Sequence, residues 1–221
     1  MLPNHEKLTT ALKSVQQQSN GGFGLHMWAT IVDRDGIVKV VTFSGDDRHA
    51  QWPGSRVISA QKANTANAFS LPNLALSTAN LYAATQPAGS LYGLQHSNPV
   101  NVAAAYGGRA ETYGTKDDYM CGTRIGGVNV FGGGLALYAA CGALIGGLGV
   151  SGDSSGADHN IAWKLRNLLE LDYVPAGVSP ANDDNVIYDS NSDWGHPQTS
   201  AEATRIAAEL LAVRKRSETC Q

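Results

Sequence analysis

A lysine, an aspartate–histidine step and a run of three glycines are the residues of this chain best suited to chemistry. Lys62 lies in the segment Ser59-Ala-Gln-Lys-Ala-Asn-Thr-Ala-Asn-Ala-Phe69, where helical spacing sets Ile58, Lys62, Thr65 and Phe69 on one row. An ammonium stripped of water between apolar neighbours has its charged form disfavoured, so it can serve as a base or bind an anionic carboxylate. The blander alternative is a lysine whose stem packs while its amine reaches water. Arg56, at the start of the same segment, is a second candidate for carboxylate binding. Asp158 and His159 fall in the first turn of a later helix. The dipole there disfavours imidazolium, and a neutral imidazole can ligate a metal or act as a general base. Against this, Asp158 can be a capping residue and His159 a surface ring stacked on Trp163.

Glycines supply the second group of candidates. Phe131-Gly132-Gly133-Gly134 interrupts a strand pattern, which points to a bulge or to a ligand approaching the backbone, whose N–H groups can bind an oxyanion or the edge of a flat molecule. Gly147-Leu-Gly-Val-Ser-Gly152 matches G-x-G-x-x-G after a strand and before a helix. A dinucleotide fold is nevertheless not expected, because the preceding strand belongs to a hairpin and no parallel strand follows. Ser151 has no G-x-S-x-G elbow, which argues against a serine hydrolase. His26, His49, His96 and His196 are scattered without metal-ligand spacing, and Trp194-Gly-His-Pro197 reads as an anchor for the C-terminal stretch.

The elements that must position these residues follow from periodicity and punctuation. Residues 5–18 form a helix with Leu8, Leu12 and Val15 on one stripe, stopped by Asn20-Gly-Gly22. Strands at 25–32 and 37–43 flank the turn Asp33-Arg-Asp-Gly36. Ser55 caps a helix through Ser70, closed by Pro72, and a short helix spans Thr78 to Gln86. Residues 87–126 form a long irregular excursion of the functional kind. Strands return at 127–139 and 143–151 around the turn Ala140-Cys-Gly142. A helix follows from Asp158 to Leu171, with Ser155 and Asp158 at capping-box spacing. After an irregular stretch at 173–198, Thr199 and Glu202 open a last helix through Val213 with Ile206, Leu210 and Val213 on its apolar stripe. Hairpins interleaved with helices give an α+β domain, an antiparallel sheet with helices packed on it.

Composition narrows the function. The chain has 221 residues, 43% hydrophobic and 16% charged, enough apolar material for a sizeable core and too little charge for disorder. A net charge of −3 leaves no footprint for nucleic acid, and the basic run Arg214-Lys-Arg216 reads as charge set against a helix dipole. No apolar run is long enough to span a membrane, and the N-terminal residues do not read as a secretory signal. Cys121, Cys141 and Cys220 are odd in number and widely spaced, giving neither a disulfide framework nor a zinc pattern, so the expectation is a reducing, cytoplasmic setting.

Three segments together carry a family resemblance: Ile31-Val-Asp-Arg-Asp-Gly36 leading into Ile37–Phe43; the Lys-Ala-x-Thr-Ala core around Lys62; and Phe131-Gly-Gly-Gly134 followed by Gly142-Ala-Leu-Ile-Gly-Gly-Leu-Gly-Val-Ser-Gly152 and Asp158. In order and spacing the chain resembles the GlcG/HbpS-like family, the haem-degrading domain family that includes the C-terminal domain of PduO, over residues 5–171. The resemblance implies a profilin-like fold with a five-stranded antiparallel sheet, oligomeric assembly, and haem or a related tetrapyrrole as ligand in some members. The whole chain, 1–221, is then one such domain, with the excursion at 87–126 and an extension at 172–221. The expected function is binding of haem or another planar or carboxylate ligand in a homo-oligomer. Lys62 and Asp158, with Arg56 and Phe131 to Gly134, would form the site, and His159 would be a candidate haem-iron ligand. The alternatives are a cofactor-independent enzyme on a small carboxylate or aromatic substrate, with Lys62 and His159 as acid–base groups, and an accessory subunit with a vestigial pocket.

Overall fold

A computed structural model describes residues 1–217. Helix α1 (His5–Gln16) is capped by Asn4, whose side chain accepts the Lys7 N–H at 2.9 Å, and buries the predicted stripe of Leu8, Leu12 and Val15. Strands β1 (Trp28–Asp33) and β2 (Val38–Phe43) form the expected hairpin. Helix α2 (Ser55–Phe69) starts with Ser55 already inside its first turn, so the cap position falls on Gly54 and no side chain caps it. The predicted helix from Thr78 is a 3-10 turn at Ala79–Leu81 running into the single turn α3 (Tyr82–Thr85). The excursion carries two short helices, α4 (Leu94–Ser97) and α5 (Val102–Tyr106). Strands β3 (Gly134–Tyr138) and β4 (Leu144–Ser151), helix α6 (Ser155–Leu168) and helix α7 (Ala201–Ala208) complete the order.

The sheet is antiparallel throughout and runs β2-β1-β4-β3. Among the described residues it has four strands, one fewer than the resemblance implies. The predicted strand over 127–139 is cut to its second half. Gly127 and Gly133 take φ of +80° and +111°, and the backbone at 127–129 is instead taken up by α2, through Asn64 Nδ2 donating to Gly127 O and Thr65 Oγ1 accepting the Asn129 N–H.

Alternation along the strands sends side chains to two packed faces. Ala29, Ile31, Leu135, Leu137, Leu148 and Val150 meet α1 and α6 on one face. Val32, Val38 and Val41 meet α2 together with Met120 and Ile125 of the excursion on the other. The G-x-G of the dinucleotide-like motif serves this second face. A Cβ on Gly147 would stand 2.2 Å from Ala63 O, and one on Gly149 would stand 1.9 Å from Ser59 O. These glycines let α2 lie directly on β4, so the motif is a packing device and no pyrophosphate site.

Both capping boxes are one residue out of register. Ser154, not Ser155, caps α6 by accepting the Ala157 N–H, and Ser200, not Thr199, caps α7 by accepting the Ala203 N–H. The last helix ends at Ala208 rather than Val213.

Two fully buried ion pairs fasten the added segments. Arg56 donates to both carboxylate oxygens of Asp118 and to Ala105 O, and its guanidinium lies 3.6 Å from the centre of the Tyr113 ring, which ties the excursion to α2. Arg166 donates to both oxygens of Asp184 at 2.7 Å, and to Ala136 O of β3, which ties the extension to α6. Cys141 is disulfide-bonded, contrary to the expectation from cysteine spacing. Disulfides persist mainly in oxidising compartments, so cysteine usage no longer argues for the cytoplasm. Among the described residues no helix is long and apolar enough to cross a membrane.

Candidate functional site

Where α2, the end of β4 and the start of α6 converge, a hollow of about 330 Å³ opens to solvent. That volume lies in the range of small-molecule pockets, about 300–1,000 Å³. Its lining includes Trp52 and Ile58 from the α2 side, Phe131 from the segment before β3, Ser155, and the paired Lys62 and Asp158. Lys62 Nζ donates to Asp158 Oδ2 at 2.7 Å and to Val150 O at 3.0 Å, and both side chains are almost fully buried. Trp52 and Phe131 are the reverse, apolar rings left 55% and 47% exposed.

The electrostatics of the floor follow from burial. Asp158 also accepts the Asp153 N–H at 2.9 Å. Desolvation pushes its carboxyl up to about 6, against the opposing pull of the Lys62 ammonium. A carboxyl in that range, beside a lysine at the floor of a hollow, can exchange a proton near neutral pH once a ligand or water reaches it.

Of the residues singled out by sequence, Lys62, Asp158 and Phe131 meet in this hollow. Gly133 packs behind it: a Cβ there would stand 3.3 Å from Lys62 Nζ and 2.4 Å from Val150 O, so glycine makes room for the ion pair. The neighbouring amides are already engaged. Gly132 N–H donates to Ser155 Oγ at 2.6 Å, and Gly134 N–H donates to Thr78 Oγ1 at 2.9 Å. Arg56 does not reach the hollow, because its guanidinium is committed to Asp118. His159 does not reach it either. It projects from α6 beneath the extension, fully buried, with Nε2 3.1 Å from Asn185 Oδ1 and, among the described residues, no partner for Nδ1. Its ring is tilted against Trp163 at 6.0 Å rather than exposed beside it.

Burial holds the His159 imidazole neutral, lowering its pKa to about 3 from the ordinary 6.5. The consequence for stability has a definite sign. Below pH 6.5 the unfolded chain binds a proton at this position and the folded chain does not, so stability falls with pH at about 1.4 kcal/mol per unit from this group. The Asp158 shift acts oppositely between pH 3.8 and about 6, where the folded state holds the extra proton. Urea unfolding of wild type and His159→Asn between pH 7 and 4.5 isolates the histidine. The wild type is expected to lose its margin over the variant as pH falls, and parallel profiles would contradict a buried neutral imidazole.

Sequence reasoning missed Trp52, Ser155 as a lining residue, and His196. An aromatic placed just before a helix start gave the only usable signal, at Trp52-Pro53. His196 lies 41 positions from Ser155, whose hydroxyl it contacts, so no local pattern joins them. Among the described residues no group of three or more His, Cys, Asp or Glu side chains is placed to hold a metal ion.

The fold is an antiparallel α+β domain, and its hollow has the size and the mix of apolar and polar lining common to small-molecule pockets. A family model described as haem-degrading protein HbpS-like matches residues 4–165, and the chain belongs to that family. The solved structure of a PduOC:heme complex is 28% identical, covers 76% of this chain and 94% of its own, and superposes with a TM-score of 0.51. The protein ORFY of Klebsiella pneumoniae is 21% identical over 74% of this chain and 85% of its own, with a TM-score of 0.50. No curated protein matches the chain. The end of α6 from Arg166 and the whole extension at 172–221 lie beyond the family match.

Proposed function

We propose that the hollow binds a small planar molecule bearing a carboxylate, haem or another flat ring acid, in a homo-oligomer of this chain. The observation that carries this reading is the pair of exposed rings, Trp52 and Phe131, lining a hollow whose floor holds the Lys62–Asp158 pair. Exposed aromatics at a cleft contribute large contact area to a flat ligand, and an ammonium at its base favours a carboxylate. The haem complex of the PduOC relative supports a tetrapyrrole as the ligand class.

Iron ligation through His159 does not fit, because that imidazole is buried beneath the extension. Among the described residues no histidine, cysteine or methionine lines the hollow. The ring and its carboxylates therefore carry recognition, and the iron adds little. Titration of the purified chain with haem and with iron-free protoporphyrin tests this, with absorbance as readout and native mass spectrometry reporting assembly. Affinities within about tenfold of each other are expected, a difference below 1.4 kcal/mol. Tight haem binding with no binding of the iron-free ring would refute the reading.

A second reading, cofactor-independent catalysis on a small carboxylate or aromatic substrate, is favoured by one observation: Asp158, with its carboxyl raised to about 6, faces the hollow beside Lys62. In that reading Asp158 exchanges the proton and Lys62 holds the substrate anion. His159, which the sequence suggested as the acid–base partner, is too far under the extension to share the work.

A further inference from the structure

The sequence has no nucleophile elbow, yet the fold places a serine hydroxyl against an imidazole at the edge of the hollow. Ser155 Oγ lies 2.8 Å from His196 Nε2. His196 Nδ1 lies 2.8 Å from Pro197 O. A carbonyl oxygen can only accept, so the proton sits on Nδ1 and Nε2 presents its lone pair to the serine. The Ser155 hydroxyl therefore donates to Nε2, while the Gly132 N–H donates to the same oxygen at 2.6 Å. The imidazole is 4% exposed and is held by the Tyr82 ring at 4.9 Å and the Tyr188 ring at 6.3 Å. This is the arrangement of an activated nucleophile: hydroxyl, base within hydrogen-bond reach, and a third group fixing the base's tautomer.

We infer that Ser155 and His196 form a nucleophile–base pair that cleaves esters of small planar substrates seated in the hollow. The inference rests on the planar-ligand reading of that hollow. Ser155 is the first residue of α6 and is partly exposed on the hollow side, so its oxygen is within reach of a bound carbonyl. Ser155 Oγ attacks the ester carbon as its proton passes to His196 Nε2. The tetrahedral adduct collapses, the C–O bond to the leaving alcohol breaks, and that alcohol takes the proton from Nε2. Water then adds to the acyl carbon as His196 Nε2 takes its proton, the acyl C–O bond to Ser155 breaks, and Nε2 returns the proton to Ser155 Oγ with release of the acid. The net change is ester and water to acid and alcohol, with no redox partner needed.

The amide dipoles of the first turn of α6 favour the negative charge that develops on the carbonyl oxygen attacked by Ser155. The Gly132 N–H, donating to Ser155 Oγ, holds the hydroxyl in place. Among the described residues the buried Tyr188 hydroxyl has no hydrogen-bond partner, and it lies beside Gly156, the residue after the serine. Burial, helped by the nearby Lys62 ammonium, lowers the pKa of His196 and keeps it a free base at neutral pH.

The test uses the full chain with 4-nitrophenyl acetate, an activated aryl ester. Release of nitrophenolate with an acetyl group on Ser155, found by peptide mass mapping, is expected. Ser155→Ala should abolish the adduct and His196→Gln should slow acylation about 100-fold. The acylation rate should rise with pH through an inflection below the ordinary histidine range, since burial among the Tyr82 and Tyr188 rings, and then the Lys62 charge, disfavour the imidazolium against the opposing Pro197 carbonyl. No adduct on Ser155, or an adduct forming equally fast in His196→Gln, would overturn the pair. Wild-type binding of protoporphyrin separates the two readings. Binding without acylation overturns the nucleophile alone, and acylation without binding supports the nucleophile while overturning the planar-ligand reading.

Discussion

Replacing Arg166 with methionine should destabilise the protein by about 3–5 kcal/mol, the typical cost of leaving one member of a buried ion pair without its partner. Arg166 and Asp184 are both fully buried, with two hydrogen bonds of 2.7 Å between them and a third from Arg166 to Ala136 O at 3.1 Å. The variant leaves the Asp184 carboxylate in a dry interior and a β3 carbonyl unpaired. The double variant Arg166→Met/Asp184→Leu removes both charges and should recover most of the loss, because apolar replacement of a buried pair is often close to neutral. Urea unfolding at pH 7 reads both. A single-variant loss below about 1 kcal/mol would mean that the extension is not latched by this pair. Residues 172–217 should also become the first site of proteolysis in Arg166→Met, since Asp184 holds them to α6 through a buried ion pair.

Lys62→Met is the second large effect, and its size should depend on pH. Lys62 supplies the main force holding Asp158 ionised inside the protein. Without it the Asp158 pKa rises further, and the folded state binds a proton over a wider range than the unfolded chain does. Stability then falls as pH rises, at about 1.4 kcal/mol per unit, until the carboxyl ionises or the chain unfolds. Below pH 5, where Asp158 is neutral in both proteins, the variant should lie close to wild type. Near pH 8, about two units above the wild-type Asp158 pKa, the gap should approach about 2.7 kcal/mol. A gap of the same size at pH 5 and pH 8 would show that the lysine stem's packing matters rather than its charge. Ligand affinity should fall as well, because the ammonium is the cation on the floor of the hollow.

Periodicity and turn chemistry made most of the scaffold legible. The stripe on α1, the Asp33–Gly36 hairpin and the extent of α2 are local patterns, and local patterns survive into the fold. Boundaries set by tertiary contacts were not legible. The strand over 127–133 was lost because Asn64 and Thr65 of α2 take up its backbone groups, which no pattern within 127–133 reveals. Consecutive hydroxyls at Ser154–Ser155 and Thr199–Ser200 each offered two possible caps, and the fold uses the first of one pair and the second of the other.

The site was half legible. Lys62, Asp158 and Phe131 carried signals in their own neighbourhoods and do meet. Arg56 and His159 carried equally good local signals but were drawn away by partners far along the chain, Asp118 in one case and Asn185 in the other. Both partners lie in the added segments, so the excursion and the extension decide which of the helix-borne groups face solvent. His196 entered from the extension and had no local signal.

The most direct measurement is a protoporphyrin titration of wild type against Phe131→Ala. Phe131 is half exposed and packs in no core cluster among the described residues, so its removal should leave the fold intact. If flat rings bind over this hollow, losing one of its two aromatic contacts should weaken binding about tenfold, the equivalent of one aromatic contact of about 0.5–1.5 kcal/mol beyond area burial. Equal affinity in the two proteins would place the ligand elsewhere and contradict the account.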